Sequence, residues 1–387
     1  MSYRHKILHI ISAWDSGAGN ELAEFVSRLP HDDFESEICV LAGSNHRKVL
    51  NVPTTTLDLR WSWDISTYLG IRRVLRRFLP DVVHTWDSVS QFYGVVHYGT
   101  QRILAEKREI DVSAGKLQKY IDRKTHRFIV PRTNSTLPID KTTVIPPAAV
   151  PMPYFDPIPA EELLAKLGFP LVEPSETTPS GNYYPMFQPQ YDPVRRSYKP
   201  ILPHRTPFLI GVILPLCSEH RILDALWVFE TLNHVHLNFH AFVMGEGKDR
   251  ELFLRARDRW KLFSRVHFLG NRYTTDRLLP SFDVLLHLSS SAEHSGTILS
   301  AMFCGVPVIA LESPESREYL LDGTTGFLIP GEGDFRFYRR TATKRLLLLL
   351  ENQELRRSMQ TAAKDRVIQE FNFETAVRQR IDVYRQS

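Results

Sequence analysis

The chain has 387 residues, 43% hydrophobic and 24% charged, a balance that excludes a disordered, collagen-like or coiled-coil protein and predicts two or three globular domains. Its 48 basic and 44 acidic residues leave a formal charge of +4, too near neutral to predict nucleic-acid binding without a local cluster. Three distant cysteines, Cys39, Cys217 and Cys304, argue against a disulfide framework or a cysteine zinc site and fit a reducing compartment.

The first part alternates strand-like and helical runs. Ile7 to Ile11 reads as a buried strand, Glu37 to Ala42 as a second, Thr54 to Leu59 as a β-branched third, and Asp81 to His84 follows the breaker Pro80. Between them, Asn20 to Leu29 and Ser66 to Leu79 carry apolar residues at helical spacing, with Asn20 and Ser66 as N-caps. A helix over Lys116 to Lys124, a strand over Arg127 to Val130 and the stop at Val144 to Pro147 complete this part. Strands that alternate with helices predict a parallel sheet covered on both faces.

From Pro170 to Pro207, nine prolines interrupt a stretch rich in Ser, Thr and Tyr, so the sequence predicts a linker or surface insertion that keeps neither ladder nor helix. Alternation then resumes. Strands are expected at Pro207 to Leu214, Phe239 to Met244, Val266 to Leu269, Asp283 to Leu288 and Pro307 to Ala310. Helices are expected at Arg221 to Leu232, Asp249 to Phe263, Thr275 to Leu279 and Thr297 to Cys304, with two or three more from Lys344 to Arg385. Neither Ile7 to Ile11 nor Leu346 to Leu350 approaches the roughly 20 apolar residues a bilayer span needs. The expected location is the cytoplasm, either free or peripheral at the inner face of a membrane.

Two places in the second part suit a phosphate. Gly245-Glu-Gly247 leaves a strand and precedes a helix, where backbone N–H groups meet a phosphate or ribose, or where a tight turn simply needs positive φ. Ser295, Gly296 and Thr297 open a helix after the small polar run that begins at Ser289, and Gly305-Val-Pro307 closes it. Free N–H groups, hydroxyls and the helix dipole there favour a diphosphate.

The stretch from Ser289 to Ala310, with its Cys304-Gly-Val-Pro-Val-Ile-Ala310 exit, resembles the signature of the group 1, or family 4, retaining glycosyltransferases. Arg317 to Pro330, with Asp322-Gly-Thr-Thr-Gly-Phe-Leu-Ile-Pro330, resembles the acidic loop and the strand that follows it in that family. Val243 to Gly247, Val266 to Gly270, Asp81 to Thr85 and Val144 to Pro146 are similar to weaker landmarks. The resemblance implies an α/β protein of the GT-B fold, two facing Rossmann-like domains with a cleft between them. It implies an acceptor domain over residues 1–150, a Pro-rich linker or insertion over 151–206, a nucleotide-sugar domain over 207–370 and a helix over 371–387 that returns to the N-terminal domain.

By the same resemblance, Glu293, His220 and Arg221 are the catalytic candidates, and Gly245, Gly247, Ser295, Gly296, Thr297, Arg317 and Glu318 bind the donor and its phosphates. Gly17, Gly19, Trp86, Asp87 and Arg108 stand on the acceptor side, Trp86 either stacking on a sugar ring or half-buried in packing. His84, at a strand end, reads as a core histidine. The chain departs from the family where Ala292 and Ser300 replace its two glutamates and where Pro215 and His220 align with its diphosphate-clamping Arg and Lys. The implied reaction transfers a sugar from a nucleotide diphosphate sugar to a hydroxyl of a glycan or lipid-linked acceptor, with retention and without a cofactor. No metal is expected, because no Asp-x-Asp pair stands on a strand-end loop. The alternative is a non-catalytic relative that binds a nucleotide sugar, a glycan or a partner enzyme. Arg72, Arg73, Arg76 and Arg77, interleaved with Leu69, Val74, Leu75 and Phe78, form an amphipathic helix that is either a solvated basic face or a contact for anionic lipid.

Overall fold

The computed structural model describes residues 4–14, 17–42, 52–59, 64–96, 102–106, 116–130, 137, 139–145, 147–151, 157–166, 190–192, 197–199, 207–235, 239–270, 275–291, 294–331 and 335–386. The chain forms two compact units, Met1–Pro151 with Phe371–Ser387, and Met152–Glu370.

The first unit runs β1 (His5–Ile11), α1 (Gly17–Ser27), β2 (Phe34–Val40), β3 (Thr54–Thr56), α2 (Ile65–Phe78), β4 (Val82–Thr85), α3 (Ser88–Val96), β5 (Arg102–Glu106), α4 (Lys116–Lys124), β6 (Arg127–Val130) and β7 (Thr142–Val144). All its strands are parallel, in the order β3-β2-β1-β4-β5-β6-β7. Strand parity sorts the core. Ile7 and Ile11 pack with Phe25 and Val26 of α1, whereas Leu8 and Ile10 pack with Ile71, Val74 and Leu75 of α2 on the other face.

Two helix starts differ from the sequence reading. Asp64 caps α2, its carboxylate accepting from the Ser66 N–H at 2.8 Å, so Ser66 lies inside the helix. α1 begins at Gly17 rather than Asn20, which places Gly17 and Gly19 in the first turn of the helix.

The second unit begins with α5 (Ala160–Lys166) and a short antiparallel pair, β8 (Gln190–Asp192) and β9 (Ser197–Lys199). This ladder corrects the expectation for the proline-rich stretch. Pro189, Pro193 and Pro200 flank the two strands without entering them, so no ladder N–H is lost. Residues 167–189, which hold Tyr183, Tyr184 and Phe187, lie outside the described residues.

There follow β10 (Phe208–Ile213), α6 (Ile222–Val235), β11 (Phe239–Met244), α7 (Arg250–Arg259), β12 (Val266–Gly270), α8 (Thr275–Leu278), β13 (Val284–His287), α9 (Gly296–Cys304), β14 (Val308–Leu311), α10 (Pro314–Tyr319), β15 (Gly326–Ile329), α11 (Phe335–Glu351) and α12 (Gln353–Glu370). The sheet is again parallel, in the order β12-β11-β10-β13-β14-β15. Ile210, Val212, Val284 and Leu286 bury one face against Leu226 and Phe229 of α6 and Ala342 and Leu346 of α11. Arg339 of α11 pairs with the Asp224 carboxylate of α6.

The last helix, α13 (Phe373–Arg385), is capped by Asn372 and belongs to the first unit. Its Phe373, Val377, Ile381 and Tyr384 join the core formed by β1 and α1. Each sheet reverses its strand order once, between β1 and β4 and between β10 and β13. In such sheets ligands bind beyond the carboxyl ends of the strands at that reversal.

Candidate functional site

At the reversal in the second unit, the segment after β10 runs beside the one after β11. Leu214 and Leu216 donate to the Met244 and Glu246 carbonyls at 3.1 Å each. This close approach dictates both glycines of the Gly245-Glu-Gly247 turn. Gly245 has φ +134°, and a Cβ there would strike the Leu214 carbonyl, as one on Gly247 would strike Leu216. Asp249, just past the turn, accepts from the Ser218 N–H at 2.7 Å and its hydroxyl at 2.6 Å, and so fixes the 3-10 turn Ser218–His220. His220 is thereby held 3.0 Å, through Nδ1, from the Ser289 hydroxyl beyond β13. Its ring meets that of His294 edge-on, with centroids 4.7 Å apart.

His294 leads directly into α9. Ser295 occupies the N-cap position with αR backbone and makes no side-chain capping bond; its hydroxyl lies 3.4 Å from that of Tyr319. Gly296 is exposed, and a Cβ there would meet nothing within 4 Å. A helix start with this composition presents backbone N–H groups and the positive end of the dipole to solvent. Behind it stands His287, 1% exposed, with neither ring nitrogen hydrogen-bonded among the described residues. Burial first, then the neighbouring His294 and His220, push its pKa down to about 3.

The reversal in the first unit is built differently. Asp87 bridges it, one carboxylate oxygen accepting from the Ser12 N–H and the other from the Ser90 N–H, each at 2.8 Å. Trp86 is 1% exposed and donates its indole N–H to His9 Nδ1 at 3.2 Å. His84 also lies in the core, its Nδ1 2.6 Å from the Tyr384 hydroxyl and its Nε2 3.5 Å from Glu106. Arg380 of α13, 5% exposed, donates to Glu106 at 2.8 Å and to Glu21 of α1 at 2.5 Å. Burial works to raise the Glu106 carboxyl, yet Arg380 and His84 draw it down to about 2. Burial likewise lowers both His84 and His9.

Comparison with known proteins agrees with these two sheets. Residues 216–342 match the family model for glycosyl transferases group 1. The N-acetyl-alpha-D-glucosaminyl L-malate synthase of Bacillus anthracis is 30% identical over 164 residues, 42% of each chain, so the likeness spans less than half of that enzyme. Anabaena HepE, solved in complex with UDP and glucose, superposes with a TM-score of 0.73 at 14% identity over 99% of this chain and 100% of its own. A Rickettsia africae glycosyltransferase superposes with a TM-score of 0.69 at 14% identity over 100% of this chain and 99% of its own. The match to the group 1 glycosyltransferases is thus confined to the second unit, and the whole chain shares the GT-B fold of these solved structures.

The expected donor-side residues separate into two groups. Gly245, Gly247, His220, Ser295, Gly296 and Thr297 lie on the segments that meet at the reversal in the second unit. Arg221 and Arg317 are engaged elsewhere. Arg221 follows His220 in a left-handed conformation (φ 55°), and its guanidinium sits over the Tyr338 ring of α11, 5.0 Å from the centroid. Arg317 and Glu318 fall on α10 rather than in a loop. Arg317 pairs with Glu312 at 2.8 Å, and the Glu318 carbonyl accepts from Arg366 at 2.9 Å. Glu293 and Arg108 lie outside the described residues.

On the acceptor side, Trp86 is a correction. It carries no face for a sugar, because α1, α13 and His9 enclose it, with Phe25 5.6 Å and His84 4.6 Å away between ring centroids. Asp87 spends its carboxylate on two backbone N–H groups. The sequence reading missed Ser289, Asp249 and His287 in the second unit and Glu21, Glu106 and Arg380 in the first. For His287 a signal existed, a histidine closing an apolar strand just before the family signature. The partners of Arg380 are far from it in sequence and left none. Among the described residues no group of His, Cys, Asp and Glu is arranged for a metal ion, and no helix is long and apolar enough to cross a membrane.

Proposed function

We propose that this chain transfers a sugar, with retention, from a nucleoside diphosphate sugar to a hydroxyl of a glycan or lipid-linked acceptor. The observation that carries the reading is the uncapped start of α9, with exposed Gly296, opening beside the Gly245-Glu-Gly247 turn and His220 at the reversal of a parallel sheet. In a retaining transfer the anomeric carbon becomes oxocarbenium-like while negative charge grows on the leaving diphosphate. Helix N–H donors and a cation stabilise that charge more than they stabilise the ground state. The UDP bound by HepE and the N-acetylglucosaminyl group in the name of the Bacillus enzyme make UDP-glucose and UDP-N-acetylglucosamine the first donors to try. Calorimetric titration with these and with GDP- and ADP-sugars tests the reading. Binding with slow donor hydrolysis to UDP and the α-anomer supports it, and absence of binding across the panel overturns it.

One set of observations favours a second reading, a nucleotide-sugar-binding relative without transfer. Ser300 stands at a family glutamate position and donates its hydroxyl to the Gly296 carbonyl at 3.1 Å, while Arg221 lies over the Tyr338 ring and Arg317 pairs with Glu312. Donor binding with no hydrolysis or transfer over days distinguishes it.

Peripheral membrane contact belongs to the same proposal. It is supported by α2, where Arg72, Arg73 and Arg76 are exposed without an ion pair among the described residues, beside Ile65, Leu69 and Leu79 at 74%, 50% and 66% exposure. Only Arg77 is paired, with Glu37. Exposed apolar side chains among arginines suit an anionic bilayer surface. Sedimentation with phosphatidylglycerol vesicles but not with phosphatidylcholine, abolished in R72E/R76E, is the expected result.

A further inference from the structure

α11 has two unlike sides. One buries Tyr338, Ala342, Leu346 and Leu349 in the core it shares with α6. At about 3.6 residues per turn, the opposite side is the stripe Phe337, Arg340, Lys344 and Leu348, with Arg336 at its margin. All five are exposed, Phe337 at 58% and Leu348 at 40%. The two apolar side chains stand at the ends of the stripe, roughly 16 Å apart along the helix axis. Between them, the Arg340 and Lys344 side chains have no ion pair or hydrogen bond among the described residues. Arg339 and Arg345, by contrast, turn to Asp224 and Asp322. No acidic residue occurs from Phe335 to Leu350; Glu332 and Asp334, just before, lie outside the described residues. α7 is different, because its exposed Leu252 stands among Glu251, Arg255, Asp258 and Arg259, a face that balances its own charge.

We propose that this stripe is a docking surface for an anionic lipid bilayer, on which α11 lies flat with Phe337 and Leu348 among the headgroups and its cations over the lipid phosphates. The inference rests on the peripheral-membrane reading made from α2 and extends it to the second unit. Charge complementarity selects the occupant. Arg340 and Lys344 gain lipid phosphates without giving up a partner, and no carboxylate on the stripe repels the surface. Their aliphatic stems lie over apolar surface while the charged heads reach the phosphates. A folded protein partner fits less well. Protein interfaces gather apolar anchors at the centre and leave charges at the rim, whereas here the cations are central and the apolar side chains terminal.

The test is the partition of the full chain into phosphatidylglycerol and phosphatidylcholine vesicles, measured by sedimentation at low and high salt. The parent should bind phosphatidylglycerol, release as salt rises and leave phosphatidylcholine unbound. R340E/K344E and F337S/L348S should each partition at least tenfold more weakly, with unchanged circular dichroism and melting because all four side chains are exposed. R340K, which keeps the charge, should bind within twofold of the parent. R72E/R76E separates the two surfaces. If both α11 double variants bind as the parent does, this inference falls and the α2 contact stands. If they lose binding while R72E/R76E keeps it, the α11 surface stands and the α2 contact falls. A parent that binds neither vesicle, or both equally, overturns both.

Discussion

Where β1 and β4 diverge, Asp87 spans the gap to the Ser12 N–H and Trp86 lies beneath it, 1% exposed. Where β10 and β13 diverge, His220 and His294 stand at the edge and Gly296 is exposed at the start of α9. The topology is the same, a parallel sheet reversing its order once, so the difference lies in the side chains at the strand ends. At the first reversal His9 and His84, themselves in ring contact, bond to Trp86 and to Tyr384 with Glu106, and Arg380 of α13 holds Glu106. In the second, His220 and His294 meet edge-on beside the exposed Gly296. A reversal point is thus a place where a ligand can bind, and its filling decides whether one does.

The largest expected effect breaks the first of these fillings. Arg380→Met keeps the aliphatic stem and leaves Glu106 and Glu21 buried without their cation, which costs about 3–5 kcal/mol. Denaturant unfolding should show this as a lower midpoint, and donor affinity of the second unit should stay within twofold. An unchanged midpoint would mean that the network does not hold α13, and the contrast between the two reversals would lose its basis.

Acid sharpens the contrast next. His240 and His267 in the second sheet lie 2.9 Å apart, Nδ1 to Nε2. Burial first, then His267 and Arg265, bring His240 to about 3; burial first, then Arg257 and Arg265, bring His267 to about 4; and His287 is also near 3. All three values lie below the 6.5 of a free histidine. The unfolded chain therefore binds more protons as pH falls below about 6.5, and stability present above that value is lost toward pH 4. The loss should be about 1–2 kcal/mol per histidine between pH 7 and pH 5. Replacing His267 by Gln should lower the slope of stability against pH by that share, whatever the variant's stability at neutral pH. Glu106, drawn down to about 2, keeps its charge and its pairing through this range.

The sequence made the alternation of both sheets legible because short β-branched and apolar runs between polar residues report strands directly, as at Ile7 to Ile11 and Asp283 to Leu288. The α9 region was legible for a local reason, since Ser295-Gly-Thr297 and Gly305-Val-Pro307 mark its two ends within a dozen residues. What escaped was whatever depends on contacts distant in the chain. Trp86 reads the same whether it faces a sugar or a core, and α13, almost three hundred residues later, completes its burial with α1 and His9. Arg221 reads as a cation next to His220, but its left-handed backbone turns the guanidinium onto Tyr338. The short pair β8 and β9 was hidden because proline content was counted over the whole stretch, whereas only the positions of Pro189, Pro193 and Pro200 relative to the strands decide whether a ladder survives.

The smallest structural perturbation gives the sharpest reading of the open reversal. Gly296 is the first residue of α9, and an added Cβ would meet no protein atom within 4 Å. Gly296→Ala should therefore leave stability within about 0.5 kcal/mol, the gain in helix propensity being small at a first-turn position. Its effect on a ligand is another matter. A diphosphate bound to the α9 N–H groups must approach the backbone at the place where that methyl group would stand, so nucleotide-sugar affinity should fall about tenfold while melting is unchanged. Gly323→Ala is the control for a glycine with open space around it but away from α9; at φ +77° it should cost stability and leave affinity alone. If Gly296→Ala binds as the parent does, the donor's phosphates lie elsewhere than at α9, and the open reversal is not the site.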